Sequence, residues 1–293
     1  MKLLTFEYEG VRKAGVLSSD EKTVIKISVE GKEFDDVGAF IEFADESVID
    51  SVKKLSQTSK EGLNINSVKL CAPIPFPKQD IICLGINYMA HAEESARYKK
   101  EAFGGDRPFA VYFSKRVDEA VGDGGFINGH FDIVDSLDYE AELAVVIGKD
   151  AKNVSEEDAF DYVLGYTIIN DVSARNLQTQ HKQWYFGKSL DGFTPMGPWI
   201  VTADEFDNPP ALKISSKVNG ELRQNSSTDL LIFGIAHVIS ELSRGMTLKA
   251  GTIISMGTPA GVGMGFVPPK FLKSGDVVHC EIEKIGSITN TVR

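Results

Sequence analysis

The run of residues 137–147 constrains the fold most, because it alternates acidic and apolar side chains and then becomes wholly apolar. In a β-strand, Asp138, Glu140 and Glu142 would share one face, and the apolar residues between them would share the other. The apolar end of the run predicts a buried strand. Buried carboxylates need a proton, a cation or a metal ion as partner, and no lysine or arginine alternates with them here.

Two interpretations of this acidic face are open. The acids could lie on a half-exposed strand in water, or they could hold a metal ion. Glu140 and Glu142 would have Cα atoms ~7 Å apart along a strand, close enough for both carboxylates to touch one cation. The metal interpretation therefore depends on further ligands elsewhere in the chain.

Composition excludes several classes of partner. The net charge of −11 argues against a polyanion, so we expect no nucleic acid as partner. Residues 250–269 carry no charge but include five glycines and three prolines, which predicts loops and no membrane-spanning helix. The three cysteines lie in apolar runs without metal-type spacing, as in a reduced, cytoplasmic protein.

The order of strand and helix patterns predicts two domains. Residues 1–70 read as a small α/β module, and the prolines at 73, 75 and 77 suggest a linker at the start of a larger domain, residues 71–293. Many strands and few helices after residue 80 favour an α+β fold with a barrel-like or sandwich-like sheet. We expect a helix over 89–99, a polar loop over 99–107, a hairpin turn at Asn219 and Gly220, and a helix over 228–243 that Thr228 caps.

Each polar candidate outside the acidic run has a simpler interpretation beside the functional one. Asp171 could cap a helix. His91 and Glu94, one helical turn apart, could decorate a surface helix. Lys188 could be a loop lysine in water.

Six motifs in chain order resemble those of the fumarylacetoacetate hydrolase family. The motifs are residues 85–88 (GINY) with 91–94 (HAEE), 138–143 (DYEAEL), 170–175 (NDVSAR), 187–191 (GKSLD), 195–198 (PMGP) and 257–263 (GTPAGVG). The resemblance covers about residues 70–293, and residues 1–70 look like the leading module of the longer bacterial members. It implies a mixed β-roll and a homodimer.

The resemblance also implies roles for single residues. Glu140, Glu142 and Asp171 match the three ligands of a Mg²⁺ or Mn²⁺ ion, and oxygen ligands without cysteine or histidine suit these hard cations. The residues that match the pocket lining are Arg175, Gln178, Lys188 and Thr258. His91 and Glu94 match a catalytic pair on a lid helix.

Charge adds two expectations about the substrate and the catalytic groups. In an acidic protein, Arg175 and Lys188 are natural anchors for a small anionic 2-oxo acid, and Lys115 is a weaker candidate. We expect His91 to act as general base, oriented by Glu94. Lys188 would stabilise a developing oxyanion or supply a proton.

The predicted reaction is hydrolysis of a C–C bond in an acylpyruvate or 2,4-diketo acid through a metal-bound enolate. Oxaloacetate-type decarboxylation and 2-hydroxy-dienoate isomerisation are the alternatives within the family. An aldolase or lyase on another scaffold would not explain the motif at 257–263, and a non-catalytic binding protein is a remote alternative. The largest family members place a further carboxylate ligand upstream, so the match to true fumarylacetoacetate hydrolases is weaker.

Overall fold

Strands outnumber helices in the computed structural model, which describes residues 1–59, 61–99, 105 and 108–293. The α-helices are α1 (Val37–Phe43), α2 (Glu46–Thr58), α3 (Met89–Lys99), α4 (Arg175–Gln180), α5 (Tyr185–Lys188) and α6 (Ile235–Ser243). The strands are β1 (Lys2–Tyr8), β2 (Val11–Leu17), β3 (Thr23–Lys26), β4 (Ser28–Val29), β5 (Lys32–Glu33), β6 (Leu63–Asn64), β7 (Lys69–Cys71), β8 (Ile81–Gly85), β9 (Val111–Lys115), β10 (Phe126–Ile127), β11 (Leu137–Asp138), β12 (Ala141–Ile147), β13 (Val163–Asn170), β14 (Ser173–Ala174), β15 (Met196–Thr202), β16 (Lys213–Val218), β17 (Glu221–Ser227), β18 (Ile253–Ser255), β19 (Val277–Ile282) and β20 (Gly286–Val292). The predicted mixture of many strands and few helices is confirmed, while closure into a roll or barrel stays a prediction.

Two sheets contain most of these strands. The larger sheet has the order β6-β3-β2-β1-β15-β13-β12-β18-β8-β9, with β7 also paired to β1, and the smaller one has the order β10-β20-β19-β16-β17. Strand β12 is buried on both faces. Leu143 and Val145 pack in a core cluster that includes Ile214 and Val278 of the smaller sheet, whereas Val146 belongs to a second cluster. Burial on both faces explains why the end of the acidic run is wholly apolar.

The N-terminal strands belong to the larger sheet. Strand β1 pairs antiparallel with β15, with Leu3 opposite Ile200. The second core cluster combines Leu3 and Phe40 with Ile81 and Val146. Residues 1–70 therefore share a sheet and a hydrophobic cluster with residues 71–293, and the division into two domains at residue 70 stays a prediction.

The acidic run does not form one continuous strand. Strand β11 ends at Asp138 and pairs with β14, whereas β12 begins at Ala141, so Tyr139 and Glu140 lie between two strands. Asp138, Glu140 and Glu142 are 0%, 4% and 1% exposed. The interpretation as a solvated acidic face is therefore wrong. Because Glu140 lies between the two strands, the prediction that all three acids share one face of one strand is correct only in part.

Other predicted elements agree with the structure to different degrees. Helix α3 has the predicted bounds, and Asn219 (φ 51°) and Gly220 (φ 80°) form the positive-φ turn between β16 and β17. The predicted helix over 228–243 is wrong in its first half, because Thr228 accepts a hydrogen bond from Leu212 N and α6 begins only after Gly234. The predicted polar loop over 99–107 lies outside the described residues except for positions 99 and 105.

The helices in the described part of the chain are short. None of its helices combines the length and the apolar character that crossing a bilayer requires.

Candidate active site

Three carboxylates meet at the ends of the central strands of the larger sheet. Glu140 precedes β12, Glu142 lies within it, and Asp171 directly follows β13. The antiparallel register sets Ala141 opposite Asn170, and Asp171 N donates to Glu140 O at 2.8 Å. One oxygen atom from each carboxylate lies within 4.8 Å of the others. The sheet register thus brings together residues that are up to 31 positions apart in the chain.

Three buried cations surround these carboxylates. Lys188 Nζ donates to Glu140 Oε2 and to Asp171 Oδ2, both at 2.7 Å. Arg175 Nη2 lies 2.6 Å from Glu140 Oε1. Lys115 Nζ lies 2.8 Å from Asp171 Oδ1, but it donates to the main-chain oxygens of Val172 and Lys188. The ion-pair partners absent from the acidic run come from three other segments of the chain.

The pKa values of the two glutamates shift in opposite directions. Burial raises the pKa of Glu142 well above its usual range, and the nearby charges of Asp171 and Glu140 raise it further. Burial also raises the pKa of Glu140, but Lys188 and Arg175 outweigh burial and hold it below the usual value. Burial lowers the pKa of Lys188, yet Asp171 and Glu140 raise it above its ordinary value. Of the two glutamates, Glu142 is therefore the one whose charge the protein compensates less.

Glu142 is held by the segment that leads into the glycine-rich loop. Its Oε2 accepts hydrogen bonds from Ser255 Oγ at 2.5 Å and from Gly257 N at 3.1 Å. Gly257 has a φ of 91°, and a Cβ there would lie 3.0 Å from Leu84 O, so the position favours glycine. The motif at 257–263 therefore contacts a candidate metal ligand directly.

The carboxylate cluster fits a hard divalent cation. Its donors are all oxygen atoms, and Asp171 Oδ1, fully buried, accepts no hydrogen bond in suitable geometry although Lys115 Nζ lies 2.8 Å away. The buried carboxylates outnumber the buried cations by one: Asp138, Glu140, Glu142 and Asp171 face Lys115, Arg175 and Lys188. A divalent cation would make the cluster positive, and oxygen donors are the ligands that Mg²⁺ and Mn²⁺ prefer.

His91 lies across a small cavity from the carboxylates. The cavity of about 40 Å³ is lined by His91, Glu140, Glu142, Lys188 and other residues, and it has room for only a few water molecules. His91 Nδ1 lies 3.0 Å from Glu94 Oε2, and both side chains are buried. Glu94 Oε1 accepts from Gly261 N at 3.0 Å. The interpretation of the pair as surface residues is therefore wrong. Through Glu94, the pair connects helix α3 to the glycine-rich loop.

The predicted substrate-binding residues divide into two groups. Arg175, Gln178 and Thr258 line the same cavity as His91. Lys115 is fully buried and is not among the residues that line the cavity. It contacts Asp171 and the Lys188 main chain instead, so a role in substrate binding stays a prediction that the geometry does not favour.

Several residues near the cavity were not predicted from the sequence as functional candidates. Ser255 holds Glu142, and Trp184 lines the cavity against Gly85, where a Cβ would lie 2.1 Å from the indole ring. Gln224 donates to Thr258 Oγ1 at 2.7 Å and accepts from Ala141 N at 3.0 Å. Their sequence context offers no signal, because serine, tryptophan and glutamine occur in many roles and their partners are 34 to 113 residues away.

The fold and the cluster together define a class of protein: an α/β enzyme in which buried carboxylates on a central sheet face a histidine on a separate helix. The family model described as "Fumarylacetoacetate (FAA) hydrolase C-terminal" matches residues 80–293. The chain belongs to the fumarylacetoacetate hydrolase family, which confirms the resemblance and the prediction of an enzyme.

Individual relatives differ in the reactions that they are named for. The chain is 42% identical to "Oxaloacetate tautomerase YisK" of Bacillus subtilis over 305 residues, covering 100% of both chains. A fumarylacetoacetate hydrolase from Exiguobacterium antarcticum has 39% identity and a TM-score of 0.84, with 100% of this chain and 99% of that chain covered. Fumarylpyruvate hydrolase from Pseudomonas aeruginosa, solved with Mn²⁺ and pyruvate, has 30% identity and a TM-score of 0.65, covering 74% and 90%.

Proposed function

We propose that this protein is a divalent-metal-dependent tautomerase of a small 2-oxo diacid of the oxaloacetate type. The reaction moves one proton from C3 of the substrate and adds one proton to the oxygen at C2, or the reverse. No carbon–carbon bond breaks, and no second substrate is needed. The relative named oxaloacetate tautomerase, which matches this chain over its whole length, supports this choice.

The observation that carries the proposal is the oriented imidazole opposite the carboxylate cluster. Glu94 engages Nδ1 of His91 at 3.0 Å, which leaves Nε2 as the nitrogen available to a substrate in the cavity. A positioned histidine is the most common general acid–base group in enzymes. In the keto-to-enol direction Nε2 of His91 would take the C3 proton, and water would supply the proton at the C2 oxygen. In the reverse direction protonated Nε2 would give a proton to C3, and the C2 hydroxyl would release its proton to water.

The cations of the cavity wall would bind and orient the substrate. Arg175 can grip a carboxylate with parallel hydrogen bonds, and Gln178 and Thr258 add polar contacts on the same wall. Lys188 uses two of its three N–H donors on Glu140 and Asp171, so one remains for the substrate oxygen at C2. Arg175 would fix the substrate, and Lys188 would stabilise the charge that develops on that oxygen.

Glu140, Glu142 and Asp171 would hold one Mg²⁺ or Mn²⁺ ion. The bound ion would supply Lewis acidity, polarising the oxygen atoms of a 2-oxo acid. The solved relative that contains Mn²⁺ and pyruvate supports both the kind of metal and the kind of ligand.

Hydrolysis of an acylpyruvate is the second candidate. The His91–Glu94 pair could also activate a water molecule, and one solved relative is named fumarylpyruvate hydrolase. Hydrolysis requires a water molecule and a larger acyl group in the cavity together. Tautomerisation needs no second reactant, and the relative named oxaloacetate tautomerase matches the whole of this chain, whereas the fumarylpyruvate hydrolase matches 74% of it.

A single set of incubations separates these reactions. The protein with Mg²⁺ or Mn²⁺ is mixed with enol-oxaloacetate or an acylpyruvate in D₂O or H₂¹⁸O, and products are followed by enol absorbance and NMR. We expect rapid loss of the enol and deuterium at C3 without release of CO₂. Cleavage of the acylpyruvate with ¹⁸O in the released acid, or formation of pyruvate and CO₂ alone, would contradict the tautomerase assignment.

A further inference from the structure

Asp138 is the one carboxylate of the buried cluster that the proposed metal site and acid–base pair do not use. We propose that Asp138 is a positioning residue, which fixes the Arg175 guanidinium and the glycine-rich loop 257–265 in one arrangement so that Arg175 can bind the anionic substrate. The inference rests on the proposed function, from which it takes a 2-oxo acid anion as substrate.

Four N–H groups converge on the Asp138 carboxylate. Oδ1 accepts from Gly263 N at 2.6 Å and from Tyr139 N at 2.9 Å. Oδ2 accepts from Met264 N and from Arg175 Nε, both at 3.0 Å. The side chain is fully buried, and an ionised carboxylate has about four acceptor sites. Its hydrogen-bonding capacity is therefore used on the loop, its own main chain and Arg175.

The contacts of Arg175 leave one part of its guanidinium for a ligand. Nε donates to Asp138, and Nη1 donates to Gln178 Oε1 at 3.0 Å. Nη2 is buried and lies 2.6 Å from Glu140 Oε1. These three contacts engage three of the five N–H donors of the guanidinium, which leaves two. Arg175 lines the cavity. Because the guanidinium is planar and rigid, fixing Nε fixes the direction of the Nη2 donors as well.

The glycine-rich loop is shaped to receive the Asp138 carboxylate. A Cβ at Gly263 would lie 2.7 Å from Asp138 Oδ1 and 2.5 Å from Lys270 O, so only glycine permits this approach. Thr258 of the same loop lines the cavity, and Gly261 N of the loop holds Glu94. Asp138 thus connects Arg175 with the loop that carries another cavity residue and contacts helix α3 through Glu94.

Stability alone is a weak reason for this buried ion pair. Apolar packing of similar volume is often as stable as a buried pair, because both charges lose their hydration. Arg175 lines the cavity and Asp138 holds its rigid donor group, which points to orientation of Arg175. Removing the Asp138 charge should therefore weaken anion binding more than it slows the chemical step.

A double-mutant cycle on ligand binding tests the inference. The Mn²⁺-loaded wild type, Asp138→Asn, Arg175→Lys and the double variant are titrated with oxalate by calorimetry, with the exposed Asp132→Asn as control. We expect each single change to raise the oxalate Kd about tenfold or more, and the double variant to bind about as weakly as the weaker single variant. The KM for oxaloacetate should rise more than kcat falls, and the Mn²⁺ affinity should stay near the wild-type value.

A second variant keeps the test independent of the folding of Asp138→Asn. Gly263→Ala leaves both charges in place but pushes the loop away from Asp138, so it should also raise the oxalate Kd and KM. Additive effects in the cycle, or unchanged oxalate binding in Gly263→Ala, would overturn the inference and leave the proposed function standing. Absence of oxalate binding to the Mn²⁺-loaded wild type would contradict the proposed function and the inference together.

Discussion

The candidate active site has two walls that are built in different ways. The strand wall consists of Glu140, Glu142 and Asp171, which the register of β12 and β13 holds in the centre of the larger sheet. The helix wall consists of His91 and Glu94 on α3, which rests on the glycine-rich loop through the bond from Gly261 N to Glu94. A wall fixed by strand pairing and a wall fixed by side-chain contacts should respond separately to substitution. Metal binding should depend on the strand wall, and turnover should depend on both walls.

The largest effect is expected from Glu142→Gln on the strand wall. Loss of a residue that hydrogen-bonds to a metal ligand costs about 10- to 100-fold in metal affinity, so loss of a ligand itself should cost more than about 100-fold. Activity should fall with it. Calorimetric titration with Mn²⁺ checks the affinity, and Mn²⁺ should no longer raise the thermal midpoint of the variant.

In the metal-free protein, we expect Glu142→Gln to cause no loss of stability. Glu142 is buried beside Asp171 and Glu140, so removing its charge should leave the metal-free protein at least as stable as the wild type. Urea unfolding of both metal-free proteins measures this. If Glu142→Gln bound Mn²⁺ with wild-type affinity, the strand wall would not be the metal-binding site.

The next effect concerns His91→Asn on the helix wall. Loss of a general acid–base group typically lowers turnover by about 10²–10⁴, while Mn²⁺ affinity should stay close to the wild-type value. Steady-state kinetics and Mn²⁺ titration check the two halves of this expectation. His237→Asn is the matched control, because His237 also pairs with a glutamate, Glu156 at 2.9 Å, but is 41% exposed. If His91→Asn and this control had equal turnover, His91 would not take part in catalysis.

A smaller effect is expected from Glu94→Gln. The amide keeps the shape but loses the charge that orients His91 and accepts from Gly261 N, so kcat should fall roughly tenfold. The neighbouring Glu93 is exposed on the same helix, and Glu93→Gln should leave kcat unchanged. A similar kcat in the two variants would show that Glu94 does not contribute to catalysis.

The smallest effect is expected where the helix wall meets the loop. A Cβ at Gly265 would lie 1.8 Å from Glu94 Oε1, so Gly265→Ala should displace the flexible end of Glu94. We expect kcat to fall roughly fivefold, with metal affinity preserved. Gly245→Ala is the control, since nothing lies within 4 Å of a Cβ there. A drop in Mn²⁺ affinity in Gly265→Ala would show that the two walls are coupled.

Local patterns in the sequence identified several elements and candidates correctly. The helix Met89–Lys99 and the Asn219–Gly220 turn were predictable because each depends on residues close together in the chain. The resemblance supplied the three carboxylates that the structure brings within 4.8 Å. Their role as metal ligands, the homodimer and the cytoplasmic location stay predictions.

The tertiary structure decided what depends on pairing between distant segments. Spacing along the chain determined that Glu140 and Glu142 would be near each other, whereas the packing of α4 and α5 against the sheet determined that Arg175 and Lys188 would pair with Glu140. Tertiary packing also gave Asp138 the donors that come from Arg175, Gly263 and Met264. The physical reason is range: backbone preferences act over a few residues, while burial and ion pairing act between segments that only the folded sheet brings into contact.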